Sequence, residues 1–341
     1  MQHFECDYLE GCHPQILKKL AEINMEKNPG YGSDPYCRRA VEKIRLACKT
    51  PNAEIYFLTG GTQTNAAVIS ALLKTYQGVI SAETGHVNVH EAGAIEACGH
   101  KVIALPHTDG KLLPDTLEQY LISFYADETY PHMVQPGMVY LSYPTENGTL
   151  YTKDELCRLH TICRSYHLPI FIDGARLGYG LCAETTDVAL HDIAAYADAF
   201  YIGGTKLGAL FGEAVVFTDP SLAPCFFTHI KQHGALLAKG WLIGMQYDVL
   251  FTDELYFKGA RHAVHMAMKL KKALTEKGYE FAWDSCTNQQ FVILDNEKYQ
   301  TLKEKVTFSV WEKKDETHIV VRFATSWATK ESDVDTLISF F

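Results

Sequence analysis

No basic block interrupts this 341-residue chain. Its 31 lysines and arginines face 41 aspartates and glutamates, leaving a net charge of −10. Such a chain lacks the long-range attraction that draws a protein to nucleic acid or an anionic membrane. No apolar run approaches the roughly 20 residues needed to span a bilayer. Met1 to Asp7 hold no basic stretch followed by an apolar one, which speaks against a secretory leader. The ten cysteines are scattered from Cys6 to Cys286 and form no Cys-x-x-Cys pair. They read as reduced thiols, small apolar core residues in a reducing compartment, the cytoplasm. Repeats and low-complexity segments are also missing. With 47% hydrophobic residues the chain can bury a sizeable core, in one large domain or two modest ones.

What the chain does have is alternation. Residues 1–35 read as an irregular arm ending in the turn-rich stretch Asn28-Pro29-Gly30-Tyr31-Gly32-Ser33-Asp34-Pro35. Pro35 marks a helix start, and Ala40, Val41, Ile44 and Ala47 follow at helical spacing. Strands are expected at 55–58, 79–82, 101–105, 138–142, 169–172, 199–202 and 214–217. Helices are expected near 63–75, 88–98, 114–125 and 152–166. Short apolar runs bounded by Gly, Pro and Asp indicate strands buried on both faces. Their alternation with helices indicates an α/β unit on a mainly parallel sheet. Beyond about residue 250 a long helix over 253–278 precedes strands at 289–294, 306–311 and 318–323, with fewer helices. The expected organisation is an N-terminal arm and large domain over 1–250, then a small C-terminal α+β domain over 251–341.

Four stretches carry chemistry. In Phe57-Leu58-Thr59-Gly60-Gly61-Thr62-Gln63-Thr64-Asn65 a strand ends, two glycines turn the chain and a helix begins. Unpaired N–H groups at a helix start favour an anion, and glycine lets a phosphate approach closely. The plainer reading is a turn capped by Thr62. In Pro169 to Arg176 an apolar strand ends in Asp173, where ligands of open α/β sheets collect. Arg176 offers a planar fork for a substrate carboxylate; the plainer reading is a strand-end cap and a structural ion pair. In Ala199 to Gly208, Lys206 follows a buried strand among small residues. Desolvation there would lower its pKa and make the amine nucleophilic, although alone it is a lysine in a turn. In His86-Val87-Asn88-Val89-His90-Glu91 two imidazoles share a helix face at i, i+4. The acid follows both, unlike the His-Glu-x-x-His zinc motif, and no third ligand stands out, so no metal is expected. An imidazole there can instead lie against a planar cofactor, with Glu91 as an acid or base.

Each stretch alone is weak, but their order is specific. A glycine–hydroxyl turn, an aromatic ring, strand–Asp and strand–Lys form the plan of pyridoxal 5'-phosphate (PLP) enzymes of the aspartate aminotransferase fold, fold type I. In that plan Asp173 keeps the pyridinium nitrogen protonated, so that the ring accepts electron density. Lys206 carries the cofactor as a Schiff base. The chain further resembles the threonine aldolase and β-eliminating lyase family over almost its whole length, from Asp7 and Gly11-Cys12-His13-Pro14, through Tyr31 to Pro35, to Arg322. The pieces Gly-Thr-Gln-x-Asn (61–65), His86 with Glu91, Asp-Gly-Ala-Arg (173–176) and Gly-Gly-Thr-Lys (203–206) carry the likeness. The resemblance implies phosphate held by the N–H groups of Gly61 and Thr62, His86 stacked on the ring, and a substrate carboxylate on Arg176 and Arg322. It also implies a homodimer or homotetramer, with Tyr31 and Lys231 or Lys239 reaching the neighbouring subunit's site.

Two positions depart from the bacterial low-specificity threonine aldolases. Cys6 stands where a serine contacts the substrate carboxylate, and a thiol is a weaker donor. Thr145-Glu146-Asn147-Gly148 replaces Thr-His-Asn-Gly, which puts a carboxyl where a histidine lies near the substrate hydroxyl. The expected activity is an aldehyde-lyase. It would cleave a β-hydroxy-α-amino acid such as threonine or allo-threonine to glycine and an aldehyde. His86, Glu91 or Glu146 would take the hydroxyl proton, His86 being the first choice. A PLP-dependent β-eliminating lyase is the alternative within the class. A non-catalytic binding module that keeps the fold is the alternative outside it, and retention of Lys206 and Asp173 argues against that.

Overall fold

The computed structural model describes residues 1–341. Seven strands form the central sheet. Their order is Glu54–Leu58, Glu213–Phe217, Ala199–Gly203, Ile170–Asp173, Gln135–Ser142, Gln77–Ala82 and Val102–Leu105. The five from Ala199–Gly203 onward pair in parallel, while Glu213–Phe217 runs antiparallel to both neighbours. Alternate residues enter separate cores. Val139, Ile170, Ile172 and Ile202 belong to one, and Met138, Tyr140, Phe171 and Tyr201 to another. Both sheet faces are therefore dry, which explains the unbroken apolar runs. The carboxyl ends of the parallel strands share one edge. Glu213, paired with Gly203, begins its antiparallel strand at the same edge.

Local signals fix the helices. The Asp34 carboxylate accepts the Cys37 N–H at 2.8 Å and Pro35 takes the first position of helix Pro35–Cys48. Thr152 and Glu155 make a capping box for helix Lys153–Ser165. A third core joins helices Leu255–Glu276 and Glu331–Ser339 to an antiparallel sheet. That sheet is ordered Ser309–Lys313, His318–Ala324, Gln289–Asp295. No helix is long and apolar enough to cross a membrane.

Three local expectations change. The arm is not irregular throughout, because Pro14–Ile23 is a helix that buries Ile16 and Ile23. Gln2–His3 also pairs with Val306–Thr307, which seats Phe4 in the third core. The strand expected over 306–311 is two strands. The first pairs with the N-terminus, and Ser309–Lys313 joins His318–Ala324 through a bulge between Val310 and Glu312. The helix expected over 88–98 is broken into His86–Val89 and Ala94–Ala97. Ala92 and Gly93 adopt left-handed backbone there, with φ of 52° and 71°, and Glu91 just before them is buried.

Candidate active site

Two cavities share walls at the carboxyl edge of the sheet, an inner one of 310 Å³ and an outer one of 670 Å³. Gly61, Thr62, His86, Glu91, Glu146, Asp173, Arg176 and Lys206 all line the inner cavity. Arg322 lines the outer one beside Arg176, Lys206 and Glu146.

Helix Gly61–Leu72 has no side-chain cap, so Thr62 does not cap it as the plainer reading supposed. The first-turn N–H groups therefore remain for a ligand anion. A Cβ at position 61 would come within 3.2 Å of the Tyr201 hydroxyl, a tighter contact than side chains ordinarily make.

Asp173 is a buried carboxylate with four donors. Tyr201 Oη donates at 2.5 Å and the Ala175 N–H at 3.0 Å to one oxygen. Tyr140 Oη at 2.6 Å and Asn65 Nδ2 at 3.0 Å donate to the other. Burial opposes its charge. His86 beside it, with the bonds from Tyr140, Tyr201 and Asn65, outweighs burial and holds its pKa below the ordinary value. Such an ionised, oriented acid can keep a ring nitrogen protonated.

Lys206 sits three residues beyond strand Ala199–Gly203. Burial first, and the charge of Arg176 second, lower its pKa from 10.5 to about 8. A lysine so placed gives up its proton far more readily than an exposed one. Its loop hangs on Glu213, which accepts the Gly204 N–H at 3.2 Å and the Thr205 hydroxyl at 3.1 Å. Burial pushes Glu213 up to about 8, against the pull of Lys206.

Arg176 is fork-paired with a protein carboxylate. Nε donates to Asp7 Oδ2 at 2.7 Å and Nη2 to Oδ1 at 3.0 Å. Asn288 Nδ2 also donates to Asp7 at 2.9 Å. Burial opposes ionisation of Asp7, but Arg176 and then Lys206 bring its pKa down to about 2. The pair spends one edge of the guanidinium and fixes its plane. Arg322 donates to Gln289, to the Glu5 carbonyl and to Ser309 Oγ, each at 3.0 Å, while its buried Nε has no partner. Burial, then repulsion from Arg176, lowers Arg322 to about 10. A carboxylate between the two arginines would relieve that repulsion and use the unspent donors.

His86 Nδ1 lies 2.7 Å from Glu91 Oε1, which also accepts from Asn65 Nδ2 at 2.7 Å. Burial would lower the His86 pKa, yet the bond to Glu91 and the charge of Asp173 raise it on balance. The rings of His86 and His90 are 5.5 Å apart, although their helix ends at Val89. Cys6 and Tyr31 line neither cavity. Tyr31 lies in a separate apolar cavity with Phe227, its ring 4.7 Å from Lys231 Nζ.

Tyr140, Tyr201, Asp7, Ser142 and Glu213 complete the site without having been singled out for it in the sequence. Tyr201 stands two residues before Gly203, the period that keeps it on one sheet face. That was the available signal.

The fold is that of the aspartate aminotransferase type. A solved Thermus thermophilus aspartate aminotransferase superposes with a TM-score of 0.74 at 15% identity, covering 100% of this chain and 91% of that one. Within that class the chain belongs to the β-eliminating lyase family, whose model matches residues 5–297. It is 31% identical to a low specificity L-threonine aldolase of Pseudomonas aeruginosa, over 81% of this chain and 79% of that protein. A solved Leishmania major threonine aldolase is similar at 40% identity and a TM-score of 0.96, covering 99% of this chain and 98% of that one.

Proposed function

We propose that this protein binds PLP in the inner cavity and cleaves β-hydroxy-α-amino acids to glycine and an aldehyde. One observation carries the reading. Lys206, with a pKa of about 8, shares a single cavity with the buried, ionised Asp173. Bound there, PLP supplies an aldehyde that condenses with amines and a cationic ring that accepts the electron pair of a breaking Cα–Cβ bond.

The chain's own residues do the rest. The first-turn N–H groups at Gly61 and Thr62 bind the phosphate. Asp173, held by four donors, keeps the proton on the ring nitrogen. His86, with Nδ1 held by Glu91, would pack against the cofactor ring. Arg176 and Arg322 bind the substrate carboxylate and so orient the scissile bond. Orientation of this kind is worth on the order of 7 kcal/mol in favourable cases. The threonine aldolase relatives support aldol cleavage over other PLP chemistry.

The working form we propose is a cytoplasmic homodimer or homotetramer. Ten free cysteines with no disulfide favour a reducing compartment. Tyr31, half exposed and lining a different cavity from its own Lys206, is available to serve a neighbour's site.

Incubating the purified protein and PLP separately with L-allo-threonine, phenylserine and tyrosine tests the reading. The first two are expected to give glycine and an aldehyde. Pyruvate and ammonia would show β-elimination instead, and bound PLP without turnover would indicate a binding module.

A further inference from the structure

Cleavage of a β-hydroxy amino acid needs a group that takes the hydroxyl proton, and three candidates border the cavity. We propose that Glu146 Oε2 is that group. The assignment rests on the reading of the site given above.

Other residues anchor Glu146 by one oxygen only. Oε1 accepts the backbone N–H of His86 at 2.9 Å and the Ser142 hydroxyl at 2.5 Å. Both bonds from other residues go to Oε1, and the residue's own backbone N–H also faces the carboxylate. The residue lines both cavities, so it stands where the inner one, with Lys206 and Asp173, meets the larger outer one. A β-carbon has to sit at that junction: Cα belongs beside Lys206, and the β-substituent needs the outer space. The turn that presents Glu146 is tight. Thr145 N–H donates to the Thr149 carbonyl at 3.0 Å, Gly148 N–H to the Thr145 carbonyl at 2.9 Å, and the two threonine hydroxyls are 2.7 Å apart.

The other two candidates are placed less well. Glu91 has Oε1 taken by Asn65 and His86; its buried Oε2 is unpartnered, but the residue lines the inner cavity and not the outer one. His86 has Nδ1 engaged by Glu91, and that bond and the charge of Asp173 favour its protonated form against the effect of burial, which makes it a poorer proton acceptor than a free imidazole. Around Glu146 stand His86, Asp173, Tyr140 and Tyr151, with Lys206 across the cavity. Burial raises the Glu146 pKa. The Ser142 bond and His86 lower it and Asp173 raises it, leaving a carboxylate more basic than an exposed one.

The step balances without an oxidant or reductant. The O–H bond breaks and its proton goes to Oε2. Its electron pair forms the aldehyde C=O as Cα–Cβ breaks, and the Cα–Cβ pair stays with the glycine fragment. Cα takes one proton, Glu146 returns one, and the cleavage is neutral overall.

Glu146→Gln keeps the volume and the acceptor oxygen for His86 and Ser142, so it separates chemistry from folding. For L-allo-threonine, kcat should fall about 10²-fold or more with KM nearly unchanged, the scale of a lost general base. Exchange of the glycine α-proton, which needs no hydroxyl base, should proceed near the wild-type rate. Glu146→His should recover cleavage, with the acid limb of kcat moved toward about 6.5, the histidine range. In cofactor-free protein, difference infrared titration should show a carboxyl titrating above the ordinary range that Glu146→Gln removes. The assignment is overturned if Glu146→Gln keeps a tenth of kcat, if it loses glycine exchange in step with cleavage, or if the acid limb stays put in Glu146→His. A wild type that neither exchanges the glycine α-proton nor cleaves any hydroxy amino acid would overturn the functional reading beneath it.

Discussion

Asp7 is 169 positions from Arg176 in the chain, yet it holds one whole edge of that guanidinium at 2.7 and 3.0 Å. Replacing it with asparagine removes a charge-assisted fork of roughly 1.5–3 kcal/mol. Asp7→Asn should therefore raise KM for amino acids by about tenfold or more, measured by initial rates; an unchanged KM would rule out this positioning role. Lys206→Ala should lose both turnover and the visible absorbance of a lysine-linked cofactor, read from one spectrum of protein mixed with PLP. The motif residues were legible because Gly61, His86, Asp173 and Lys206 stand at or just after strand ends, and order along the chain survives without coordinates. Tyr140 and Tyr201 were not legible. A tyrosine inside an apolar strand reads as core, and only the sheet register sets both hydroxyls on Asp173.

At the scale of elements, propensity and pairing divide the outcome. The central strands and the capped helices appear where their patterns put them, because local hydrogen bonding and two-sided burial decide both. The break after Glu91 and the split near residue 308 come from partners distant in sequence. Gly148 shows how tightly the turn bearing Glu146 is built. Its φ is 74°, and a Cβ there would lie 2.2 Å from Ser285 Oγ. Gly148→Ala should cost about 1–3 kcal/mol, seen as a lower thermal midpoint, with kcat falling as the turn shifts. A full-strength midpoint would contradict this account. Phe4 is 1% exposed and anchors the two-residue strand Gln2–His3 in the third core. Phe4→Ala should destabilise by about 3–5 kcal/mol, measured by denaturant unfolding, and should loosen the Glu5 carbonyl that holds Arg322.

Across the whole molecule, the N-terminal segment ties the C-terminal sheet to the central one through Asp7, Asn288 and Arg176. That tie carries a pH signature. Asp7 has a folded pKa of about 2 against 3.8 unfolded, so its contribution, about 2 kcal/mol, is complete above 3.8 and is lost as pH falls toward 2. In Asp7→Asn the stability-versus-pH curve should lose that slope between about 4 and 2, as urea titrations across the window would show. Association is the other property at this scale. If Tyr31 serves the neighbouring subunit, mixing inactive Tyr31→Ala and Lys206→Ala proteins should restore activity through hybrids with one intact site. No recovery after exchange of subunits, verified by mass, would leave Tyr31 without that role.

The sequence by itself determined the parallel α/β plan, the glycine–hydroxyl turn, and the acid and lysine at their strand ends, since each follows from local pattern and chain order. Tertiary structure decided what those groups can do. It paired Arg176 with Asp7, bonded Glu91 to His86, placed Glu213 against the Lys206 loop and set Glu146 in the wall of both cavities. Those outcomes depend on burial and on partners far apart in the chain, and neither can be read from the order of residues.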